Sequence, residues 1–161
     1  MKRTTMSRRN KFILLLLTVA LVLSSCNRKI IYSHYEPTPL SGWEKSDTLS
    51  FSIDHIKYDG TYSEEIGLRI NSAYPFMGLT LIASQYTQPA HILRTDTLHA
   101  HLIDNDGNIQ GTGVGYYQYH FKLATLQLYA NDTLYVNIRH NMKREILPGI
   151  SDVGITLRKE E

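Results

Sequence analysis

The stretch "LSFSI", residues 49–53, alternates large apolar side chains with serine. Successive side chains of a β-strand point to opposite faces, so the alternation places Leu49, Phe51 and Ile53 together on one face. A helix would not gather the same three residues on one side. The stretch therefore predicts a strand with one buried face and one face in water.

The same period of two recurs along the chain after Trp43. Residue pairs typical of tight turns separate the runs, notably Asp59-Gly60, Asp106-Gly107 and Pro148-Gly149. Many short, half-buried strands predict an all-β fold, an antiparallel β-sandwich of about seven to eight strands. The other apolar residues expected on buried faces are Leu68, Ile70, Leu79, Leu81, Leu98, Ala100, Leu102, Tyr117, Tyr119, Phe121, Leu123, Leu134, Val136, Ile138, Val153, Ile155 and Leu157.

The N-terminal region has the pattern of an export signal. Five basic residues and no acidic ones precede Cys26, the single cysteine of the 161-residue chain. The apolar run of residues 12–23 is 12 residues long, shorter than the roughly 20 that cross a bilayer. It closes in "LSSC", residues 23–26, which resembles the lipobox cut by lipoprotein signal peptidase. We predict that residues 1–25 are a lipoprotein signal peptide and that lipid on Cys26 anchors the chain to a membrane.

Cleavage before Cys26 leaves 136 residues, enough for one domain. They hold 12 basic and 15 acidic residues, a formal charge of −3, which gives no electrostatic reason to bind nucleic acid. Residues 26–42 contain Pro37 and Pro39 and no sustained periodicity, which predicts a lipidated cysteine followed by a tether. Extended, the tether would span at most ~50 Å. The β-sandwich domain is predicted over residues 43–161.

Two histidines form a candidate metal pair. His99 and His101 lie two apart on one predicted strand, so both rings point to the same face and could share a metal. The sequence places no third ligand, and two histidines on a solvated face explain the pattern equally well. The sequence "DNDGN", residues 104–108, lacks the later ligands of a calcium loop and is typical of a hairpin turn. We predict no metal and no cofactor.

A tyrosine-rich strand offers a candidate ligand face. In "GYYQYHF", residues 115–121, alternation turns Tyr116, Gln118 and His120 outward. Such a face could stack a sugar or a peptide. A strand with an apolar inner face and a polar outer face gives the same pattern without any ligand.

The sequence contains no recognisable catalytic constellation. It has neither a Gly-x-Ser-x-Gly elbow nor a His-Glu-x-x-His motif. The adjacent Glu64 and Glu65 would point to opposite faces of a strand and could not act as a pair. We therefore predict that the protein is not an enzyme.

Several segments together resemble the gliding-motility lipoproteins of the GldH type. They are the lipobox, "GWEKSDTLSFSI" (42–53), "LRINSAYPFMGLTL" (68–81), "IDNDGNIQGTGVG" (103–115) and "HNMKREILPGISDVGITL" (140–157). The resemblance covers the mature chain, and its most specific residues are Arg69, Asn71, Tyr74, Pro75, Met142, Leu147, Gly149, Ile150, Asp152, Val153 and Gly154. It implies an envelope lipoprotein of the Bacteroidota, linked to gliding and to the associated secretion machinery, with no catalytic residues.

That phylum suggests two further expectations. Its envelope proteins are O-glycosylated at a motif similar to Asp, then Ser or Thr, then a small or aliphatic residue. Three Asp-Thr-Leu triplets fit, which makes Thr48, Thr97 and Thr133 candidate sites. A plainer reading is that each triplet starts a strand, with Asp bonding turn amides and Thr turned outward. Surface lipoproteins there carry acidic residues after the lipidated cysteine, whereas this chain continues Asn27-Arg28-Lys29, so we expect the periplasmic face of the outer membrane.

The sequence thus predicts a lipid-anchored, non-catalytic scaffold or adaptor that contacts an envelope protein. The alternative is a glycan- or peptide-binding envelope lipoprotein that uses the Tyr116/Gln118/His120 face.

Overall fold

The computed structural model describes residues 30–89 and 93–160, and β-strands account for most of them. No helix long and apolar enough to cross a membrane occurs within these two ranges. The strands are β1 (Ile30–Pro37), β2 (Trp43–Glu44), β3 (Leu49–Ile53), β4 (Gly60–Asn71), β5 (Gly78–Gln88), β6 (Leu93–His101), β7 (Tyr116–Leu128), β8 (Thr133–His140), β9 (Ile146–Leu147) and β10 (Ile150–Lys159).

The strands form two four-stranded antiparallel sheets. One sheet has the order β1-β10-β4-β7 and the other β3-β8-β5-β6, while β2 and β9 pair with each other. The predicted all-β antiparallel fold is confirmed, with eight strands of at least five residues and two strands of two residues.

The core lies between the two sheets and follows from the alternation. On β8, Leu134, Val136 and Ile138 are buried, while the residues between them are half-buried. The facing sheet contributes Leu68 and Ile155, both 0% exposed. Each such side chain contributes about 1.5–3 kcal/mol when fully buried, so the facing apolar surfaces hold the layers together.

The predicted tether is wrong over Ile30–Pro37, because these residues form the edge strand β1. β1 pairs antiparallel with β10, with Tyr35 opposite Gly154. An edge strand bonds on one side only and both of its faces are partly open here, so the sequence shows no clean alternation. Pro37 is tolerated because it is the last residue of an edge strand. The predicted signal peptide and Cys26 lie outside the described residues.

One Asp-Thr-Leu triplet does not start a strand. β3 begins at Leu49 and β8 at Thr133, as the triplets there predict, but Asp96-Thr97-Leu98 lies inside β6. β6 continues upstream because Arg94 and Thr95 pair with Gln85 and Ser84 of β5.

The connections divide the sandwich into two different ends. The end where β1 begins and β10 finishes is called the terminal end, and it includes residues 54–59 and 129–132. We call the loop end the one formed by residues 38–48, 72–77, 102–115 and 141–149. β4 has 12 residues and joins the two ends, which therefore lie about 40 Å apart at about 3.3 Å per residue.

Candidate functional site

The loop end brings together the two segments that are most specific to the family resemblance. Antiparallel pairing of β4 with β10 sets Arg69 opposite Asp152, and Arg69 Nη1 lies 4.0 Å from Asp152 Oδ1. The N–H of Asn71 donates to the carbonyl of Gly149 at 2.8 Å. Gly149 has φ +81°, and a Cβ there would collide with the backbone at Tyr74. The segments 68–81 and 140–157, far apart in sequence, are thus in direct contact.

The turn after β4 is closed by its own hydrogen bonds. The side-chain oxygen of Asn71 accepts from the N–H of Ala73 at 2.9 Å, and its carbonyl accepts from the N–H of Tyr74 at 3.1 Å. The hydroxyl of Tyr74 donates to the carbonyl of Gly78 at 2.9 Å, and burial raises its pKa above the ordinary range. The Tyr74 and Phe76 rings meet edge to face, 5.5 Å apart. The turn is therefore a defined structure with an aromatic inner side.

A groove of about 270 Å³ opens beside this turn. Its walls are mainly aromatic and branched apolar side chains, and include Tyr74, Phe76, Ile103, Ile109, Tyr117 and Tyr119. Large apolar residues also project into water around the loop end, since Leu40 and Val114 are essentially fully exposed and Met77 is 54% exposed. The loop end thus combines an apolar groove with individually exposed apolar side chains.

A second arrangement lies on the outer face of the sheet that contains β1. Tyr35, Gly154 and Gly67 form one row across β1, β10 and β4. The Tyr35 ring lies on the two glycines, because a Cβ on either would collide with it. The Arg69 guanidinium covers the ring at 4.2 Å from its centroid. The two glycines make room for a ring that lies flat on the sheet.

The predicted ligand face adjoins this row, and two of its three residues have protein partners. Gln118 Nε2 lies 3.2 Å from the Tyr35 hydroxyl oxygen and 3.1 Å from His120 Nε2. His120 Nδ1 lies 2.9 Å from Glu65 Oε1, and Arg158 Nη1 lies 3.2 Å from Glu65 Oε2. Gln118 and His120 are therefore held by neighbouring side chains of the same sheet.

Tyr116 shares the outer face of β7 with Gln118 and His120, and it is 57% exposed. Ligand binding by Tyr116, Gln118 and His120 stays a prediction. Sequence reasoning missed the contribution of Tyr35, although an isolated glycine within a strand, as at positions 67 and 154, is a signal of close approach by another group.

The two histidines proposed as a metal pair are exposed on β6. His99 Nδ1 lies 3.2 Å from the hydroxyl oxygen of Thr80. Among the described residues, no three His, Cys, Asp or Glu side chains are grouped to hold a metal ion. In the 104–108 turn, the Asp104 carboxylate accepts from the backbone N–H groups of Asp106 and Asn108 at 3.0 and 2.8 Å. The bonds from Asn108 hold the pKa of Asp104 below its ordinary value. The carboxylate therefore stabilises the turn.

The three candidate glycosylation residues differ in exposure. Thr48 and Thr97 are exposed, and Thr133 is half-buried at the first position of β8. Their modification stays a prediction.

A buried carboxylate lies between the sheets in the half nearer the terminal end. Glu64 is 0% exposed, and its Oε2 accepts from Gln85 Nε2 at 2.7 Å. Burial raises the Glu64 pKa to about 7, and the bond from Gln85 opposes that rise. Its neighbour Glu65 faces outward, as alternation requires, so the two carboxylates do not form a pair.

Comparison with known proteins identifies the family. A family model described as GldH lipoprotein matches residues 30–157. The chain belongs to the GldH lipoprotein family. The gliding motility lipoprotein GldH of Flavobacterium johnsoniae is 28% identical, over 91% of this chain and 96% of that protein. The resemblance seen in the sequence is confirmed. Membership makes this a lipoprotein of the gliding-motility type and indicates attachment to an envelope membrane.

Solved structures resemble this chain only weakly. A 4-O-methyl-α-glucuronidase with specificity for decorated arabinogalactans matches 85% of this chain at TM-score 0.48 and 16% identity, and the chain spans only 18% of that enzyme. A carbohydrate-binding module of a Cellvibrio mixtus lichenase, in complex with cellotriose, matches 83% of this chain and 91% of its own at TM-score 0.39 and 14% identity. At these scores no function follows from the likeness.

Proposed function

We propose that this GldH-type chain is a non-catalytic adaptor, anchored by lipid on Cys26, that binds an envelope protein through its loop end. The position of the first strand supports this proposal. β1 begins at the terminal end, about 40 Å from the loops that hold the family-specific residues, and Cys26 precedes it by four residues.

The loop end has the features of a protein-binding surface. The contact between Gly149 and Tyr74 fixes its backbone, and this end carries an apolar groove as well as exposed Met77 and Val114. Apolar and aromatic groups on a fixed framework supply most of the affinity in protein interfaces. We place the partner among the gliding and associated secretion proteins, because the Flavobacterium johnsoniae relative is a gliding motility lipoprotein.

A photoreactive amino acid at Val114 or Leu40 tests this assignment in cells. We expect crosslinks to envelope protein from both positions, and none from Thr125, an exposed control on the outer face of β7. Equal crosslinking from all three positions, or none from Val114 and Leu40, would overturn the assignment.

The groove favours a peptide segment as the second candidate ligand. Three tyrosines and Phe76 line it, whereas two residues of the predicted face on β7 already bond to protein neighbours. A binder gains thermal stability by mass action when its ligand is supplied. Peptides that cover the partner's crosslinked region should therefore raise the melting temperature, and no rise at saturating peptide would count against this candidate.

We further propose that the domain faces the periplasm and that at least one of Thr48, Thr97 and Thr133 is O-glycosylated. The basic sequence after Cys26 supports the first statement, and the outward position of Thr48 and Thr97 supports the second. Degradation by protease added to intact cells would contradict a periplasmic domain. For glycosylation, the intact mass of the native protein is compared with that of a triple Thr→Ala variant. Masses that differ only by the substitutions would refute it.

A further inference from the structure

We propose that the terminal end of the sandwich rests on the lipid surface and is a second membrane contact beside the lipid on Cys26. The inference rests on the anchor in the proposed function. The proposed binding partner of this surface is the lipid bilayer.

The first argument is the short connection between Cys26 and the fold. β1 starts at Ile30, so only residues 27–29 separate the strand from the proposed lipid. Fully extended, four residue steps reach about 14 Å, against the ~50 Å expected for a tether up to residue 42. Lipid on Cys26 therefore holds the terminal end close to the membrane surface and leaves the loop end far from it.

The second argument is the chemistry of that end. Ile30 is 53% exposed, Ile31 39%, Tyr58 59% and Tyr129 48%. A depression of about 260 Å³ lies among the first three of them and continues to buried Ile53 and Ile56. Apolar side chains beside tyrosine are the groups that enter the boundary between headgroups and acyl chains.

The third argument is the distribution of charge around the rim. Lys57 and Lys159 border the depression, and Lys159 Nζ lies 5.0 Å from the centre of the Tyr58 ring. Lysine at such a position covers apolar surface with its stem and keeps its ammonium group at the headgroups. Two carboxylates lie nearby and are bonded within the protein, since Asp54 at the depression accepts from the Ser52 hydroxyl at 2.9 Å and Asp59 accepts from the N–H of Ala130 at 2.7 Å. The contact is therefore mainly apolar and aromatic.

The experiment uses the natural absence of any other thiol. Because Cys26 is the single cysteine, Lys57→Cys and Val114→Cys each supply one free thiol in the lipidated full chain. Each variant is labelled with a fluorophore and reconstituted in phosphatidylethanolamine and phosphatidylglycerol vesicles that contain nitroxide-labelled lipid. We expect the label at position 57 to lose most of its fluorescence and the label at position 114 to keep it.

A rim variant tests whether side chains make the contact. Ile31→Ser with Tyr58→Ser, placed in the labelled Lys57→Cys chain, should restore much of the fluorescence while the lipid still holds the chain on the vesicles. Thermal unfolding checks that this variant folds. Equal quenching at positions 57 and 114, or quenching at 57 unchanged by the rim substitutions, would overturn the proposal. If the label at position 57 is shielded from solvent but not quenched by nitroxide, the rim contacts protein and not lipid, which would also overturn the proposal.

The intact mass of the purified chain separates this proposal from the proposed function. A mass without lipid on Cys26 would refute the proposed anchor and, with it, the rim contact. A lipidated mass combined with equal quenching removes the rim contact alone and leaves the adaptor proposal standing.

Discussion

The two ends of the sandwich differ in how their connections are built. At the loop end four connections fold over the core, and backbone groups of distant segments touch, as Gly149 and Tyr74 do. At the terminal end the connections of residues 54–59 and 129–132 are short, and exposed isoleucine and tyrosine surround a depression. Both ends join distant segments and expose apolar side chains, and they differ in that the loop end has the longer connections, whereas β1 begins at the terminal end. The sheet between them would keep the proposed membrane contact and the proposed partner contact about 40 Å apart.

The interior shows a matching difference. The half near the loop end packs around Trp43 and Leu147, which pair across β2 and β9 and are both 0% exposed, with the buried His140 ring edge-on to Trp43 at 5.3 Å. The half near the terminal end contains Glu64 and Gln85, whose Oε1 atoms find no hydrogen-bond partner among the described residues. Buried polar groups without partners cost about 1–3 kcal/mol each. The loop end is thus expected to be sensitive to added volume at Gly149, and the terminal half to lose stability as rising pH ionises Glu64.

Gly149→Ala should have the largest effect. The residue has φ +81°, where an L side chain costs about 1–2 kcal/mol. The new methyl group would also collide with the backbone at Tyr74, and overpacking typically adds about 1–3 kcal/mol. We expect a loss of about 3–4 kcal/mol in the free energy of unfolding, measured by urea denaturation.

Gly107→Ala is the matched control. Gly107 has φ +86°, but a Cβ there meets nothing within 4 Å, so only the backbone strain of about 1–2 kcal/mol is expected. If the two variants lose the same stability, the contact of Gly149 with Tyr74 does not hold the loop end together.

The sequence predicts the strands better than it predicts the sites, for a physical reason. Alternation reports which face of a strand is buried, and it placed Phe51, Leu81 and Val136 correctly. It also put Glu64 and Glu65 on opposite faces of one strand, but it did not say which of the two is buried. Gln85 as the partner of Glu64 depends on how the sheets stack, and no local pattern reports that.

Edge strands and grooves escape local patterns in the same way. β1 has one bonded neighbour, and its exposure follows no period, so residues 30–37 resemble a linker in the sequence. The groove draws Tyr74, Ile103 and Tyr117 from three separate segments. Their adjacency depends on the topology of the fold. The sequence shows only that residues 68–81 and 140–157 both resemble one family.

Glu64→Gln should make the terminal half insensitive to pH. The Glu64 carboxyl has its pKa raised from 4.5 to about 7, chiefly by burial, while Asp96 and Arg94 act in opposite directions. Between those two values the folded state binds more protons than the unfolded state, so stability falls as pH rises. At about 1.36 kcal/mol per pKa unit the fall amounts to about 3 kcal/mol, complete above pH 7.

The neutral amide removes this ionisation, and its oxygen can still accept from Gln85 Nε2. We expect the Glu64→Gln chain to exceed the natural chain by up to about 3 kcal/mol at pH 8 and to match it near pH 4.5. Urea denaturation at several pH values measures both. Glu65→Gln, on the outer face of the same strand, is the control and should leave the slope between pH 4.5 and 7 in place. A slope that persists in the Glu64→Gln chain would show that Glu64 titrates normally in the folded protein.

Tyr35→Ala tests whether the sheet between the two ends is an independent framework, and its effect should be the smallest. The ring covers Gly67 and Gly154 and lies under the Arg69 guanidinium, so its removal exposes glycine backbone and frees the arginine. We expect a loss of about 1–2 kcal/mol in the free energy of unfolding, from apolar burial and a cation–π contact. Tyr35→Phe keeps the ring and loses only the hydroxyl that lies 3.2 Å from Gln118 Nε2, so about 0.5–1 kcal/mol is expected. Because the ring touches neither the groove nor the terminal rim, crosslinking at Val114 and lipid quenching at position 57 should stay as in the parent chains. A loss of either readout in a folded Tyr35→Ala chain would mean that the outer face of this sheet takes part in binding, and that the two ends are not separate sites.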